Sequence, residues 1–343
     1  MRYRSLGPSG LMVSVAGVGC NAFGTRIDAQ RTQEVVDAAL EVGVTLFDTA
    51  DTYGLGASEE LLGRALGDRR DEVVVATKFG MPASGLNGSE DEGRASRDYL
   101  RRAVHGSLRR LGTDWIDLYQ LHQPDLVTPY DETLGALQEL VDEGKIRHYG
   151  CSNFQAWELV DAQWTAQAAG LSGFVSAQNE YSLYNRTAEA ELVPTCERFG
   201  IGLLPYFPLA YGLLTGKYSR RQAAPPGSRL AAENQRHRLE GADFGRVDVL
   251  QQYADESGIS LLDVALGGLA AQPTVASVIA GATRGEQVRA NVSAGLWEPS
   301  GPDLKALAEL NTGPAVGLRY SSFRPVQSER ASQTGNPDIK DES

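Results

Sequence analysis

The stretch Val73-Val74-Val75-Ala76-Thr77-Lys78 is short, apolar throughout and polar only at its end. That is the signature of a strand buried on both faces, the kind found in parallel sheets. Residues 96–111 then read as a helix, and Trp115-Ile116-Asp117-Leu118-Tyr119-Gln120-Leu121-His122 reads as a second buried strand. Strand, helix, strand in this order predicts a parallel pairing with the helix laid on the outside of the sheet.

The same unit repeats in both directions. Upstream, residues 15–20 and 46–48 read as strands. Residues 31–41 and 58–66 read as helices, the first with Val35, Val36, Ala39 and Leu40 on one face. Ser58 is expected to cap the second helix, with Glu59 and Glu60 suiting its positive end. Downstream, helices over 131–143, 155–169 and 188–199 end at Gly144, Gly170 and Gly200, and strands over 146–151, 174–179 and 201–206 lie between and after them. A polar stretch, 219–245, precedes helices over 247–257 and 260–271, a last strand over 275–280 and a helix over 285–294. In front of all this, 3–6 and 11–13 read as a hairpin across Gly7-Pro8-Ser9-Gly10. Eight strand–helix units predict an α/β fold, a (β/α)8 TIM barrel with an N-terminal hairpin and extra C-terminal helices. The alternative, an open doubly wound sheet, calls for a glycine-rich phosphate turn, and Gly17, Gly19 and Gly24 do not make G-x-G-x-x-G. Residues 1–313 read as one domain. Residues 314–343, rich in Ser, Gln, Asn and Pro without periodicity, read as a loop or flexible tail.

Forty-four acidic against 32 basic residues give a net charge of −12, which argues against a nucleic-acid partner or an anionic membrane surface. Residues 1–10 have no apolar signal core, and no run is long enough to span a membrane, so the expected location is cytoplasmic. Cys20, Cys151 and Cys196 are three in number and far apart, which suits free thiols in a reducing compartment and no metal site. One sequence gives no reading of oligomeric state.

In such a barrel the chemistry sits where the strands end. The second strand ends in Asp48, with Tyr53 just beyond; the third ends in Lys78 and the fourth in His122. Ser152 and Asn153 end the fifth, Gln178, Asn179 and Glu180 the sixth, and Tyr206 the seventh. Each taken singly could be a cap, a solvated strand end or a loop residue. Jointly they gather Asp, Tyr, Lys and His at one mouth.

These residues stand in a set of motifs: Phe47-Asp48-Thr49-Ala50-Asp51-Thr52-Tyr53-Gly54, Ala76-Thr77-Lys78, Leu121-His122-Gln123-Pro124-Asp125, Gly150-Cys151-Ser152-Asn153-Phe154, Pro208-Leu209-Ala210, Gly212-Leu213-Leu214-Thr215-Gly216-Lys217-Tyr218 and Ile279-Ala280-Gly281-Ala282. In order and context they resemble the aldo-keto reductase superfamily over roughly residues 1–311, in the style of its bacterial sugar- or aldehyde-handling and potassium-channel β-subunit-like branches. The resemblance implies hydride transfer between a nicotinamide and a small-molecule carbonyl or alcohol, with a tetrad of Asp48, Tyr53, Lys78 and His122. Tyr53 would be the proton donor, its pKa lowered by Lys78, which Asp48 would orient; His122 would donate to the substrate oxygen. Ser152, Asn153 and Gln178 would hold the nicotinamide carboxamide, and Tyr206 would stack on its ring. Leu209, Gly212 and Leu213 would run along the diphosphate beside Phe207, which stands where the resemblance places a small polar residue. Gly281, Thr283, Gln287 and Asn291 match the adenosine end, with Arg284 a partner for a 2′-phosphate. NADPH is the expected cofactor. Thr283 occupies a position that is commonly basic, so NADH is the alternative.

Three other functions use the same residues differently. A dehydrogenase would oxidise a sugar or alcohol with NAD(P)+. A regulatory subunit would sense the cofactor. A Schiff-base aldolase would use Lys78 as a nucleophile, leaving the amides of Asn153 and Gln178 without a task. The loops 21–27, which offers Phe23, 79–93 and 219–245 are expected to shape the substrate site.

Overall fold

The computed structural model describes residues 1–82, 85–89, 93–125, 127–220 and 222–310. The expected tail, 314–343, lies outside the described residues, as does part of the loop 79–93.

Eight parallel strands run in sequence order around the molecule: β3 (Ala16–Gly19), β4 (Leu46–Asp48), β5 (Val74–Phe79), β6 (Ile116–Leu121), β7 (Ile146–Ser152), β8 (Ser176–Gln178), β9 (Gly202–Leu203) and β10 (Val278–Gly281). β10 pairs back onto β3, Val278 beside Ala16. Parallel bridges at Leu203–Val275 and Tyr206–Ile279 join β9 to β10 and close the ring. The fold is therefore the (β/α)8 barrel expected. β8 and β9 are shorter than their apolar runs, because pairing is interrupted before Tyr206, which rejoins only by bridges to Glu180 and Ile279.

Strand parity sorts the side chains. Leu46, Val74, Ala76 and Leu118 pack together inside the barrel with Leu204 and Ala276. Their neighbours Phe47, Val75 and Tyr119 point the other way, into the layer beneath the helices. The outer ring comprises α1 (Ala29–Glu41), α2 (Ala57–Leu66), α3 (Arg97–Leu111), α4 (Tyr130–Asp142), α5 (Ala156–Ala168), α6 (Leu192–Phe199), α9 (Leu261–Ala270) and α10 (Gly285–Gly295). From α1 to α6 each packs on the next, α9 packs on α10, and α10 closes on α1. α7 (Arg236–Glu240) and α8 (Phe244–Ser257) are inserted between β9 and α9. The last helix, α11 (Gly301–Glu309), went unmarked in the sequence reading. A reciprocal capping box of Ser300 and Asp303, with proline in the first turn, starts it.

Across the lower end of the barrel lies the antiparallel hairpin of β1 (Tyr3–Ser5) and β2 (Met12–Ser14). Leu6 and Val13 join the interior cluster, and a Cβ at Gly7 would fall 2.4 Å from the Val175 carbonyl oxygen, so the turn fits only as glycine. Trp115 stands at the start of β6, with the Arg70 and Arg147 guanidinium groups over its ring and both arginines paired with buried Asp117.

One local expectation is corrected. Ser58 does not cap α2; Gly56 does, in a left-handed conformation, and the Ser58 hydroxyl turns inward to donate to the Cys20 carbonyl. Arg110 fills the space beside Gly56, where a Cβ would fall 2.5 Å from its Cδ.

Candidate active site

At the upper end, where β4 and β5 finish, parity places Asp48 and Lys78 inside the ring. Both are buried, Lys78 completely. The Lys78 ammonium donates to Asp48 Oδ2 at 2.7 Å, to the Thr49 carbonyl at 2.8 Å and to the Tyr53 hydroxyl at 3.3 Å. These are all the donors a lysine has. Burial alone would lower the Lys78 pKa, but Asp48 and Tyr53 outweigh it and raise it above the ordinary lysine value, so the amine stays charged. A charged, fully bonded ammonium is not a nucleophile, which speaks against the aldolase alternative.

Asp48 is held from its other side. Its Oδ1 accepts from Gln178 Nε2 at 2.8 Å and from Gln120 Nε2 at 3.3 Å. Gln120 was missed in the sequence reading. It sits one step along β6 from outward-facing Tyr119 and has the same inward parity as Leu118, which was the signal available. Gln178 thus spends its NH2 on Asp48, leaving its carbonyl oxygen for a ligand.

Tyr53 lies in the turn after β4, partly open to the cleft. Burial raises its pKa, and the Lys78 ammonium only partly offsets that. Lys78 pulls the phenol down through its charge and its hydrogen bond, as expected, but desolvation of the phenolate, with the Asp48 charge added, outweighs that pull and the net direction is upward. His122 packs edge-on against Tyr53, ring centres 5.9 Å apart. Burial, then the nearby Lys78 charge, drives its pKa well below the usual histidine value, so the imidazole is neutral. Its Nδ1 is buried without a hydrogen-bond partner among the described residues.

A cleft of about 920 Å³ opens above these groups. Asp48, Tyr53 and His122 line it, with Lys78 directly behind. Ser152, Asn153, Gln178, Tyr206, Phe207, Leu209, Gly212, Gly281, Thr283, Arg284, Gln287 and Asn291 line it too. Leu213 does not; it is buried in a second core cluster with Leu214, Tyr218 and Phe244. The turn containing it is kinked at Tyr211 and Gly212, and this rotates Leu213 away from the cleft. Asn153 has a positive φ of 60°; its amide donates to the His122 carbonyl and accepts from the Tyr206 hydroxyl at 2.7 Å. Phe207, Ala210 and Tyr211 also have positive φ. Such strain in non-glycine residues gathers where the surroundings hold a site in one shape.

Four cations line this cleft: Arg26, Lys217, Arg229 and Arg284. None forms an ion pair among the described residues, and the only acid beside them in the lining is Asp48, already paired with Lys78. In a chain of net charge −12 this is a local excess of positive charge, and it suits phosphate groups. Arg26, Lys217 and Arg229 were given no role from sequence: Arg26 comes from the loop after β3 and the other two from the long stretch after β9, and only folding brings them together. Thr283 donates through its amide and hydroxyl to Gln287 Oε1, at 2.8 and 3.1 Å, which leaves the Gln287 NH2 as a donor. Arg284 is the exposed N-cap residue of α10. The donors, cations and aromatic wall therefore fit a nicotinamide dinucleotide. Among the described residues no cluster of His, Cys, Asp or Glu could hold a metal, and no helix is long and apolar enough to cross a membrane.

The chain is similar to proteins of related kind. It is 37% identical over 305 residues to an uncharacterized oxidoreductase, YrpG, of Bacillus subtilis (strain 168), covering 86% of this chain and 91% of that one. It is 36% identical over 303 residues to a probable voltage-gated potassium channel subunit beta of Oryza sativa subsp. japonica, with the same coverage. To the versiconal hemiacetal acetate reductase of Aspergillus parasiticus it is 33% identical over 298 residues, 80% of this chain and 87% of the other. The aldo/keto reductase family model matches residues 16–311. With that match across a closed (β/α)8 barrel, the chain belongs to the aldo/keto reductase family and is an NAD(P)H-dependent oxidoreductase.

Proposed function

We propose that this protein is a cytoplasmic, NADPH-dependent reductase of small aldehydes or ketones, with Tyr53 as the proton donor. The observation that carries the reading is the Lys78 ammonium held between Asp48 and Tyr53. The nicotinamide, when bound, supplies the hydride. As negative charge gathers on the substrate oxygen, the Tyr53 hydroxyl delivers a proton to it. The raised pKa keeps Tyr53 protonated at neutral pH, and Lys78 stabilises the phenolate left behind. Neutral His122 still has one N–H with which to hold the substrate oxygen. Asp48 fixes Lys78, and Gln120 and Gln178 fix Asp48. Ser152, Asn153 and the Gln178 carbonyl would orient the carboxamide, and the Tyr206 ring would carry the nicotinamide.

At the other end, Thr283, Arg284, Gln287 and Asn291 would hold the adenosine. Unpaired Arg284 beside the α10 N-terminus supports a 2′-phosphate, hence NADPH over NADH. The three described thiols are free and buried, which suits a reducing compartment. The regulatory-subunit alternative rests on relatives such as the probable channel subunit beta of rice, and turnover decides against or for it. The test is oxidation of NADPH and of NADH with a reactive aromatic aldehyde. NADPH should be consumed faster, and Tyr53→Phe should lower turnover by about 10²–10⁴-fold while NADPH binding, followed by fluorescence, is kept. Retained turnover in Tyr53→Phe would remove Tyr53 from the role.

A further inference from the structure

Two more carboxyl groups are buried behind the Tyr53 turn. Asp51 lies in the turn itself and Glu59 in the first turn of α2; neither is exposed to solvent. Glu59 is well compensated: its Oε1 accepts from the Thr77 hydroxyl at 2.6 Å and its Oε2 from Arg110 Nε at 2.7 Å. Asp51 is not. Its Oδ2 accepts from Asn87 Nδ2 at 2.7 Å, and its Oδ1 has no hydrogen-bond partner among the described residues. The Thr52 backbone N–H also bears on it, and the Tyr119 hydroxyl of β6, buried and without a partner among the described residues, lies within electrostatic reach; Asn87 Nδ2 also approaches the Tyr99 hydroxyl of α3 at 3.4 Å. One guanidinium therefore serves two buried carboxyls, and Glu59 has it. An ionised Asp51 would be a second buried negative charge with no counter-ion.

We propose that Asp51 carries a proton in the folded enzyme and, in that neutral form, is a positioning residue that ties the Tyr53 turn to the segment 85–89. Burial and then the Glu59 carboxylate push its carboxyl up to about 7, while the Asn87 amide, Arg110 and the Thr52 backbone N–H pull it down. The neutral acid has an O–H that the carboxylate lacks, and Asn87 Oδ1 and the Tyr119 hydroxyl are buried acceptors without partners among the described residues. Asn87 is itself fixed, its carbonyl accepting from Arg102 Nε of α3 at 3.1 Å. Thr52 and Tyr53, next in the chain after Asp51, line the cleft, as does Met81 on the loop that leads to Asn87. Loss of the Asp51 proton near neutral pH thus strains the substrate end of the cleft. The functional half of this inference rests on the reading of Tyr53 as proton donor.

The sign follows from the shift. A carboxyl whose folded pKa lies above its unfolded value stabilises the fold at low pH and loses that contribution as pH rises through the folded value. Wild type should therefore lose melting temperature relative to Asp51→Asn, by roughly 5 °C, between pH 5 and pH 8. The KM for a carbonyl substrate should rise several-fold from pH 6 to pH 8 in wild type and stay level in Asp51→Asn, with the pH dependence of kcat common to both. Melting curves that run parallel across this range overturn the proposal. Should Asp51→Asn fail to fold, wild type labelled with ¹³C in its aspartate carboxyls gives a second reading. One carboxyl carbon should titrate near pH 7; its absence overturns the proposal equally. The melting and ¹³C readings do not depend on turnover, so they separate failure of this proposal from failure of the Tyr53 mechanism.

Discussion

Asp48, the Thr49 carbonyl and Tyr53 each take one donor of the Lys78 ammonium, and two glutamine amides hold Asp48 in turn. The group is buried, so the carboxylate is the counter-ion that keeps Lys78 charged. Asp48→Asn should cost roughly 3–5 kcal/mol of stability in urea unfolding, because it leaves a buried ammonium unpaired. It should also lower kcat by about tenfold or more, since Tyr53 loses the stabilisation of its phenolate. Much of this site was legible from residues. Asp48, Lys78 and His122 stand at the ends of apolar runs, and a period of two puts alternate residues on one face. Gln120 obeys the same parity and was overlooked only because it lies one step inside its run. Asp51 could not be read this way. Its environment comes from Glu59, Asn87, Arg110 and Tyr119, which are far apart in the chain and meet only by packing.

Beyond β9 the chain makes a cover rather than a plain barrel connection. Phe207 and Tyr211 pack with ring centres 4.3 Å apart, the Arg229 guanidinium lies 5.0 Å from the Phe207 ring, and the Arg238 guanidinium lies 3.9 Å from the Tyr211 ring. Arg238 belongs to α7, so this contact clamps the inserted segment to the cleft wall. Arg238→Ala should speed NADPH release by about tenfold, read by stopped-flow fluorescence, with little change in overall melting. At α10 the prediction is different. Arg284→Ala should weaken NADPH binding by about tenfold and leave NADH binding nearly unchanged, judged by the ratio of the two dissociation constants. The elements themselves followed from periodicity wherever an apolar face was long. The cover did not, since 219–245 is polar and its short turns are held by aromatic and guanidinium contacts rather than by an apolar stripe. α11 buries little besides Leu307, so its sequence marks were the Ser300–Asp303 cap and Pro302 in the first turn.

The molecule separates its charges. Acidic residues dominate the chain, while the cleft collects unpaired arginines and a lysine from the loops after β3 and β9 and from the start of α10. Closure of the barrel depends on the bridges between Leu203 and Val275 and between Tyr206 and Ile279. These also fix Tyr206, so the weakest seam of the ring and the wall of the proposed nicotinamide site are one place. At the opposite end, Leu6 and Val13 of the hairpin sit among Val175, Leu204, Ala276 and Ile279. The hairpin is made before β8, β9 and β10, so part of the surface that receives it, beside Leu46, Val74 and Leu118 of the earlier strands, does not yet exist when it emerges. The stopper must wait for the whole bottle: Leu6 and Val13 are fully covered only when the last strands are in place, so their docking marks the completion of the barrel rather than its beginning.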